Sequence, residues 1–263
     1  MSCEVCGTEY PYRDDILDFC RNNSGGTAHD ESEQWDSQAD KYEVRRSADA
    51  LYMASVAAAV RSLGSVAGLT TLDAGCGTGM TTLPLASRGA TVIALDLSFA
   101  SLAALKRKVG AENIRAIRGD ITRLPFASAS FDCVISANTI QQIPDESSRY
   151  QAVSELAHVT RPGGRVIVSV HSYSVRKRML GWLKKGPAGG HSGSVRYVHR
   201  FVPNEFHRLL DSSLRVERIT GCAFSLPYYW KMTAISRCVE FVLSRTSLAA
   251  TGGEMLIGHC VKS

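Results

Sequence analysis

A run of glycines followed at intervals by aspartates is the part of this sequence best equipped for chemistry. Gly75-Cys76-Gly77-Thr78-Gly79 lets a chain turn sharply and lets a ligand approach backbone that any Cβ would shield. Dinucleotide fingerprints place the third glycine three residues after the second. That position is Met80, and the third glycine stands one residue early at Gly79. NAD and FAD are thereby disfavoured. Asp73, two residues before the first glycine, would repel a pyrophosphate but would suit a ligand bearing an ammonium group. Asp96 follows 23 residues later, close to the spacing of an acid that accepts both hydroxyls of a ribose. Asp120, in Gly119-Asp120-Ile121, could accept hydrogen bonds from an exocyclic amine such as that of adenine.

These residues need elements that bring them together. Thr70–Leu72 reads as a strand running into the glycine turn, Thr78–Ser87 as a helix, and Thr91–Leu95 as a buried strand ending at Asp96. A helix over Ser98–Val109, with Ser98 as N-cap, precedes a strand over Ile114–Ile117 that leads to Asp120. Phe131–Ser136, a helix over Glu146–Val159 and a β-branched strand over Arg165–Val170 continue the alternation. A helix near Pro203–Leu210 and strands near Leu214–Ile219 and Met255–Val261 complete it, and an alanine-rich helix over Ala48–Leu63 leads it in. Short apolar strands alternating with helices predict parallel βαβ units in an open sheet covered on both faces. Ligands of such sheets sit at the carboxyl ends of the strands, where all three aspartates fall.

Read in order, these segments resemble the class I S-adenosylmethionine-dependent methyltransferases, in particular the group that includes quinone-biosynthesis C-methyltransferases. Leu72–Gly79 matches that family's first motif, Ala94–Ser98 its second and Gly119–Phe126 its third. Phe131–Ser136 is similar to its fourth-strand motif, and Thr160–Arg165 to the turn before its fifth strand. The resemblance spans about residues 35–263. It implies an α/β, Rossmann-like, doubly wound sheet of seven strands, mostly parallel, with the last strand antiparallel between its neighbours. It also implies S-adenosyl-L-methionine as cofactor and S-adenosyl-L-homocysteine as product. In site terms, Asp73, Ala74, Gly75, Cys76, Gly77 and Gly79 would surround the methionine part. Asp96 would hold the ribose, Asp120 the adenine amine, and Leu97 and Ile121 the ring. Asn138 would line the methionine end through its backbone, and Trp35–Tyr42 would cover the cofactor, with Tyr42 facing it. Relatives often carry histidine before an Ile/Leu-Pro-Asp at the fourth strand's end; here Gln141-Gln142-Ile143-Pro144-Asp145 supplies glutamine.

Methyl transfer from a sulfonium draws mainly on positioning, and needs a base only where the acceptor must lose a proton. His171, directly after the fifth strand, is the candidate catalytic residue; His191, His199 and His207 read as surface or packing residues. The insertion over 171–202 is where substrate specificity is expected. Its Arg176-Lys177-Arg178, Trp182 and Lys184-Lys185 form either a solvated face over a small-molecule pocket or a surface for RNA phosphates and bases. The first reading is adopted: a small-molecule acceptor, lipid-like or a secondary metabolite, with a tRNA or rRNA methyltransferase as the alternative. Leu226–Trp230 adds the option of peripheral contact with an anionic membrane.

Ahead of the main domain at 47–263 lie a cysteine-bearing head at 1–22 and a segment at 23–46 comprising a linker and the cofactor-covering helix. Cys3-Glu4-Val5-Cys6 looks like one knuckle of a zinc site, with Cys20 and His29 as loosely spaced further ligands. The neighbouring residues resemble the second half of a zinc ribbon whose first Cys-x-x-Cys pair is missing, so the head reads as a zinc-free remnant and no metal is expected. A net charge of +5 over 263 residues does not by itself imply nucleic acid. Without a signal segment or a run of about 18 apolar residues, and with scattered apolar-flanked cysteines, the expected location is the cytoplasm.

Overall fold

The computed structural model describes residues 9–20, 47–109, 113–174, 189–192, 196–222 and 252–263, with single positions between 32 and 44. At its centre the strands β3 (Thr70–Ala74), β4 (Thr91–Asp96), β5 (Ile114–Arg118), β6 (Phe131–Ala137) and β7 (Thr160–His171) run parallel. β11 (Met255–Val261) lies antiparallel between β7 and β10 (Arg215–Cys222). The order β5-β4-β3-β6-β7-β11-β10 is the expected seven-stranded sheet, with strand order reversing between β3 and β6. The reversal leaves a crevice at the carboxyl ends of those two strands.

The sheet is nevertheless larger than expected, at nine strands. A hairpin of β1 (Tyr12–Arg13) and β2 (Ile16–Asp18) from the head pairs with the outer edge of β5, Leu17 opposite Ile117. Ile16 is fully buried and packs with the domain core, so the described part of the head extends the sheet. Two or three residues per strand are too short for the alternation that signals a strand in sequence. Asp14 and Asp15, both at positive φ, make the turn between them.

Helices cover both faces. α1 (Ala50–Ser62), capped by the Asp49 carboxylate on the Tyr52 amide at 3.1 Å, packs with Cys133, Ile135 and Ile167 on one side. α2 (Thr82–Ser87) and α3 (Phe99–Lys108) join that side through Leu85, Leu102 and Leu105. α4 (Glu146–Val159) and α5 (Pro203–Asp211) cover the other, where Leu156, Phe206 and Leu210 meet Val134, Val166 and Val168. α2 starts four residues later than the apolar pattern suggested, because the glycine turn consumes Thr78 to Thr81. β7 begins earlier, at Thr160, with a break in its pairing to β6 between Phe131 and Cys133. A two-stranded ribbon, β8 (Gly189–Ser192) and β9 (Arg196–His199), lies within the insertion and was not anticipated. Among the described residues, no helix is long and apolar enough to cross a membrane.

Candidate active site

The site begins with the turn after β3. Gly75, Gly77 and Gly79 take φ values of +80°, +52° and +92°. At Gly75 space as well as φ excludes a side chain, since a Cβ would lie 2.2 Å from the Thr139 hydroxyl oxygen. Thr139 in turn donates to the Gly75 carbonyl at 3.2 Å, binding the turn to the end of β6. A Cβ at Gly79 would strike Leu105 of α3 at 2.4 Å. Over Gly77 there is only open space. Lys108, at the far end of α3, donates to the Thr78 carbonyl at 2.8 Å and pins the outside of the turn.

The three aspartates play distinct parts. Asp96 ends β4; one oxygen accepts from the Gly77 amide at 2.7 Å and the other from the Ser98 amide at 2.9 Å. Burial raises its proton affinity, against which those backbone amides favour the charged form. Asp120, after β5, accepts from the Thr122 amide at 2.8 Å and holds Ile121 in place. Asp73 lies fully buried beneath the turn, and one oxygen accepts from the hydroxyls of Thr81 and Thr82 at 2.5 and 2.6 Å. Its other oxygen has no partner among the described residues. Burial pushes the Asp73 carboxyl up to about 6, with the two threonine bonds acting in the opposite sense.

A cavity of about 290 Å³ opens over these residues, close to the lower end of typical ligand pockets. Its lining includes Gly75, Cys76, Gly77, Asp96, Leu97, Asp120, Ile121 and Asn138, so eight of the residues singled out from sequence meet on one surface. Asp73, Ala74 and Gly79 are not on that surface; they build the turn from behind. Tyr42 lies outside the described residues, but Trp35 and Ala39 from the same segment line the cavity. His171 ends β7 and is not part of the lining; its amide donates to Gln141 Oε1 at 3.0 Å.

The opposite wall runs from Asn138 to Ser148. Asn138 takes a positive φ of +61°, which its short polar side chain tolerates. A 3-10 turn at Ile140–Gln142 follows, and Gln142 Nε2 donates to the Asn138 carbonyl at 2.5 Å. Asp145 also lines the cavity, but its carboxylate caps α4 through Ser148 and Ser147, and these bonds hold it below the usual carboxylate range. Among the described residues, Gln142 Oε1, Asn138 Nδ2, Thr78 Oγ1 and Asp73 Oδ1 are buried without partners. Buried polar atoms are rarely left so. Thr78 and Asn138 line the cavity, and their Oγ1 acceptor and Nδ2 donor fit the ammonium and carboxylate of the amino-acid part of an adenosyl ligand.

Sequence reasoning missed several neighbours. Trp35 aside, Tyr52 and Val56 of α1 form the cavity's apolar flank. Their helical spacing reads equally well as ordinary core. His199 Nε2 meets Glu205 Oε1 at 2.6 Å and its Nδ1 lies 3.4 Å from the Tyr197 hydroxyl, where sequence gave His199 a surface or packing role. Cys3, Cys6 and His29, with the basic residues 176–185, lie outside the described residues. Cys20 is half-buried, and burial pushes its thiol up to about 11.

The strand order, the crevice at its reversal and an acid at the end of each of three successive strands define a nucleotide-type site of the doubly wound α/β class. Comparison with known proteins agrees. A methyltransferase-domain family matches residues 72–168. The demethylmenaquinone methyltransferase of Renibacterium salmoninarum is 35% identical over 143 residues, covering 53% of this chain and 57% of that protein. That of Thermobifida fusca is 32% identical over 164 residues, covering 59% of this chain and 68% of the relative. The chain spans about half the length of the curated relatives it matches, from 43% to 59% for three of them. Among solved structures, magnesium protoporphyrin IX methyltransferase from Synechocystis superposes with a TM-score of 0.64 at 19% identity, covering 90% of this chain and all of the other. The 1,6-didemethyltoxoflavin-N1-methyltransferase of Burkholderia thailandensis gives 0.63 at 17%, covering 91% and 92%. The chain belongs to the class I S-adenosylmethionine-dependent methyltransferases, in the group of the quinone-biosynthesis type.

Proposed function

We propose that this protein transfers a methyl group from S-adenosylmethionine to a small apolar acceptor of quinone-like or lipid-like character. The observation that carries the donor half is the set of buried, unpartnered polar atoms beside the glycine turn, together with Asp96 and Asp120 at the ends of β4 and β5. Asp96 would take the ribose hydroxyls, and Asp120 the adenine amine. Leu97 and Ile121 would clasp the ring. When bound, the cofactor supplies a methyl group already activated on a sulfonium. The chain's task is then to hold the acceptor in line and to keep water out.

The acceptor half is supported by the names of the curated relatives and by the apolar flank of Tyr52, Val56 and Ile143. Gln142 Oε1 would accept from a hydroxyl of the acceptor. His171 is the proposed base for acceptors that must lose a proton; its backbone amide donates to Gln141, the neighbour of Gln142. Calorimetry with S-adenosylhomocysteine tests the donor half, and absence of binding at millimolar ligand would refute it. Transfer of a labelled methyl group to a demethylated naphthoquinone carrying a prenyl tail tests the acceptor half. Labelling of tRNA or rRNA fragments instead would replace it with the RNA reading.

A further inference from the structure

Arg118 ends β5 opposite Asp96 of β4 in the sheet register, is not part of the cavity lining, and makes three bonds to three separate segments. Nε donates to the Leu97 carbonyl at 3.1 Å, one terminal nitrogen to Asp18 of the head at 3.0 Å, and the other to the Ser32 hydroxyl at 2.8 Å. Ser32 itself donates to the same Leu97 carbonyl at 3.3 Å. The ion pair is shielded, with side-chain exposures of 19% for Arg118 and 7% for Asp18. Four residues past Ser32, the Asp36 carboxylate accepts from the Ser98 hydroxyl at 2.6 Å and the Ala100 amide at 3.0 Å, filling the open first turn of α3. Ser98 is the residue whose amide binds Asp96. Trp35 and Ala39, on either side of Asp36, line the cavity.

A shielded ion pair ordinarily needs no reading beyond structure. Its placement argues for more. The cation belongs to the sheet and the acid to the head. The hydroxyl belongs to the stretch that covers the cavity, and the shared carbonyl is one residue from Asp96. We infer that Arg118 is a positioning residue that locks the head and the Ser32–Ala39 stretch onto the Asp96–Ser98 loop. Docking of the N-terminal residues and binding of the adenosyl ligand are therefore one coupled equilibrium. The inference rests on the donor half of the proposed function. Coupling of this kind is reciprocal: whatever docking adds to ligand affinity, the ligand adds to docking. The head thus serves the cofactor site.

Asp18→Asn is the sharpest variant, because Asp18 does not line the cavity and asparagine keeps the oxygen that accepts from the Cys20 amide at 2.9 Å. Measured well below the unfolding midpoint, the dissociation constant for S-adenosylhomocysteine rises about tenfold, the scale of one charge-assisted bond. At saturating cofactor kcat stays near the parent value. Amide exchange of peptides covering 32–39 quickens in the ligand-free variant, and saturating ligand slows it again. Arg118→Gln has a larger effect, and the double variant is no worse than Arg118→Gln alone, since both remove the same bond. Should Arg118→Gln fail to fold, Ser32→Ala gives the same pattern at smaller amplitude. A lowered midpoint with an unchanged dissociation constant and unchanged exchange would make the pair merely structural and overturn the inference. If the parent binds no S-adenosylhomocysteine, the functional reading fails, while ligand-free exchange in Asp18→Asn still decides whether the lock exists.

Discussion

The two walls of the cavity are built on different rules. On the wall made by β3, β4 and β5, Asp96 and Asp120 are bonded to backbone amides and Asp73 to two threonine hydroxyls beneath the turn. On the wall from Asn138 to Ser148, Asn138 Nδ2 and Gln142 Oε1 end in buried space with no partner among the described residues. The first wall is held largely by bonds of the backbone and the turn, and leaves Asp73 Oδ1 and Thr78 Oγ1 unpartnered among those residues. The second presents side-chain ends that a ligand would complete.

The comparison breaks most visibly at Gly75. Gly75→Ala forces a Cβ into Thr139 at positive φ, and a loss of about 3 kcal/mol of stability is expected, read by chemical denaturation, with no remaining affinity for S-adenosylhomocysteine. Asp96→Asn comes next. It removes an acceptor from Gly77 or Ser98 and a ribose partner, and should weaken S-adenosylhomocysteine by about a hundredfold in calorimetry. For the proposed base, His171→Asn should lower kcat about a hundredfold for an acceptor that loses a proton. An unchanged kcat would leave position 171 with only its backbone bond to Gln141.

Asp73 allows a gentler test. Because burial lifts its carboxyl to about 6, the ligand-free fold favours the protonated form. That contribution to stability is present at low pH and is lost as pH rises through about 6. Chemical denaturation at a series of pH values should show that loss. Asp73→Asn should flatten it. The smallest effect is reserved for the other wall: Gln142→Ala should raise KM for the acceptor about fivefold while leaving S-adenosylhomocysteine affinity unchanged.

What could be read from sequence follows the same division. The glycine turn and its acids were legible because a backbone-built site needs particular residue types at fixed strand ends, and one-dimensional spacing records that. Asp73 was legible as an acid but not as the anchor of Thr81 and Thr82, since a buried carboxylate looks the same in sequence as an exposed one. The β1–β2 hairpin was hidden by its brevity, and Arg118 by being one of 30 basic residues with nothing to mark its partners at Asp18 and Ser32. Gln142 stood out only as a departure from the relatives' histidine. Its unpartnered oxygen is a property of packing, which spacing does not encode.

The strand order carries one more consequence, for how the chain is made. β11, the last described strand, fills the gap between β7 and β10, pairing with both along its length. During synthesis the other described strands leave the ribosome first, so β7 and β10 emerge with open edges that Met255–Val261 close. Until Met255–Val261 appear, the nascent protein exposes two bare strand margins, the kind of surface that chaperones hold and that stray chains invade.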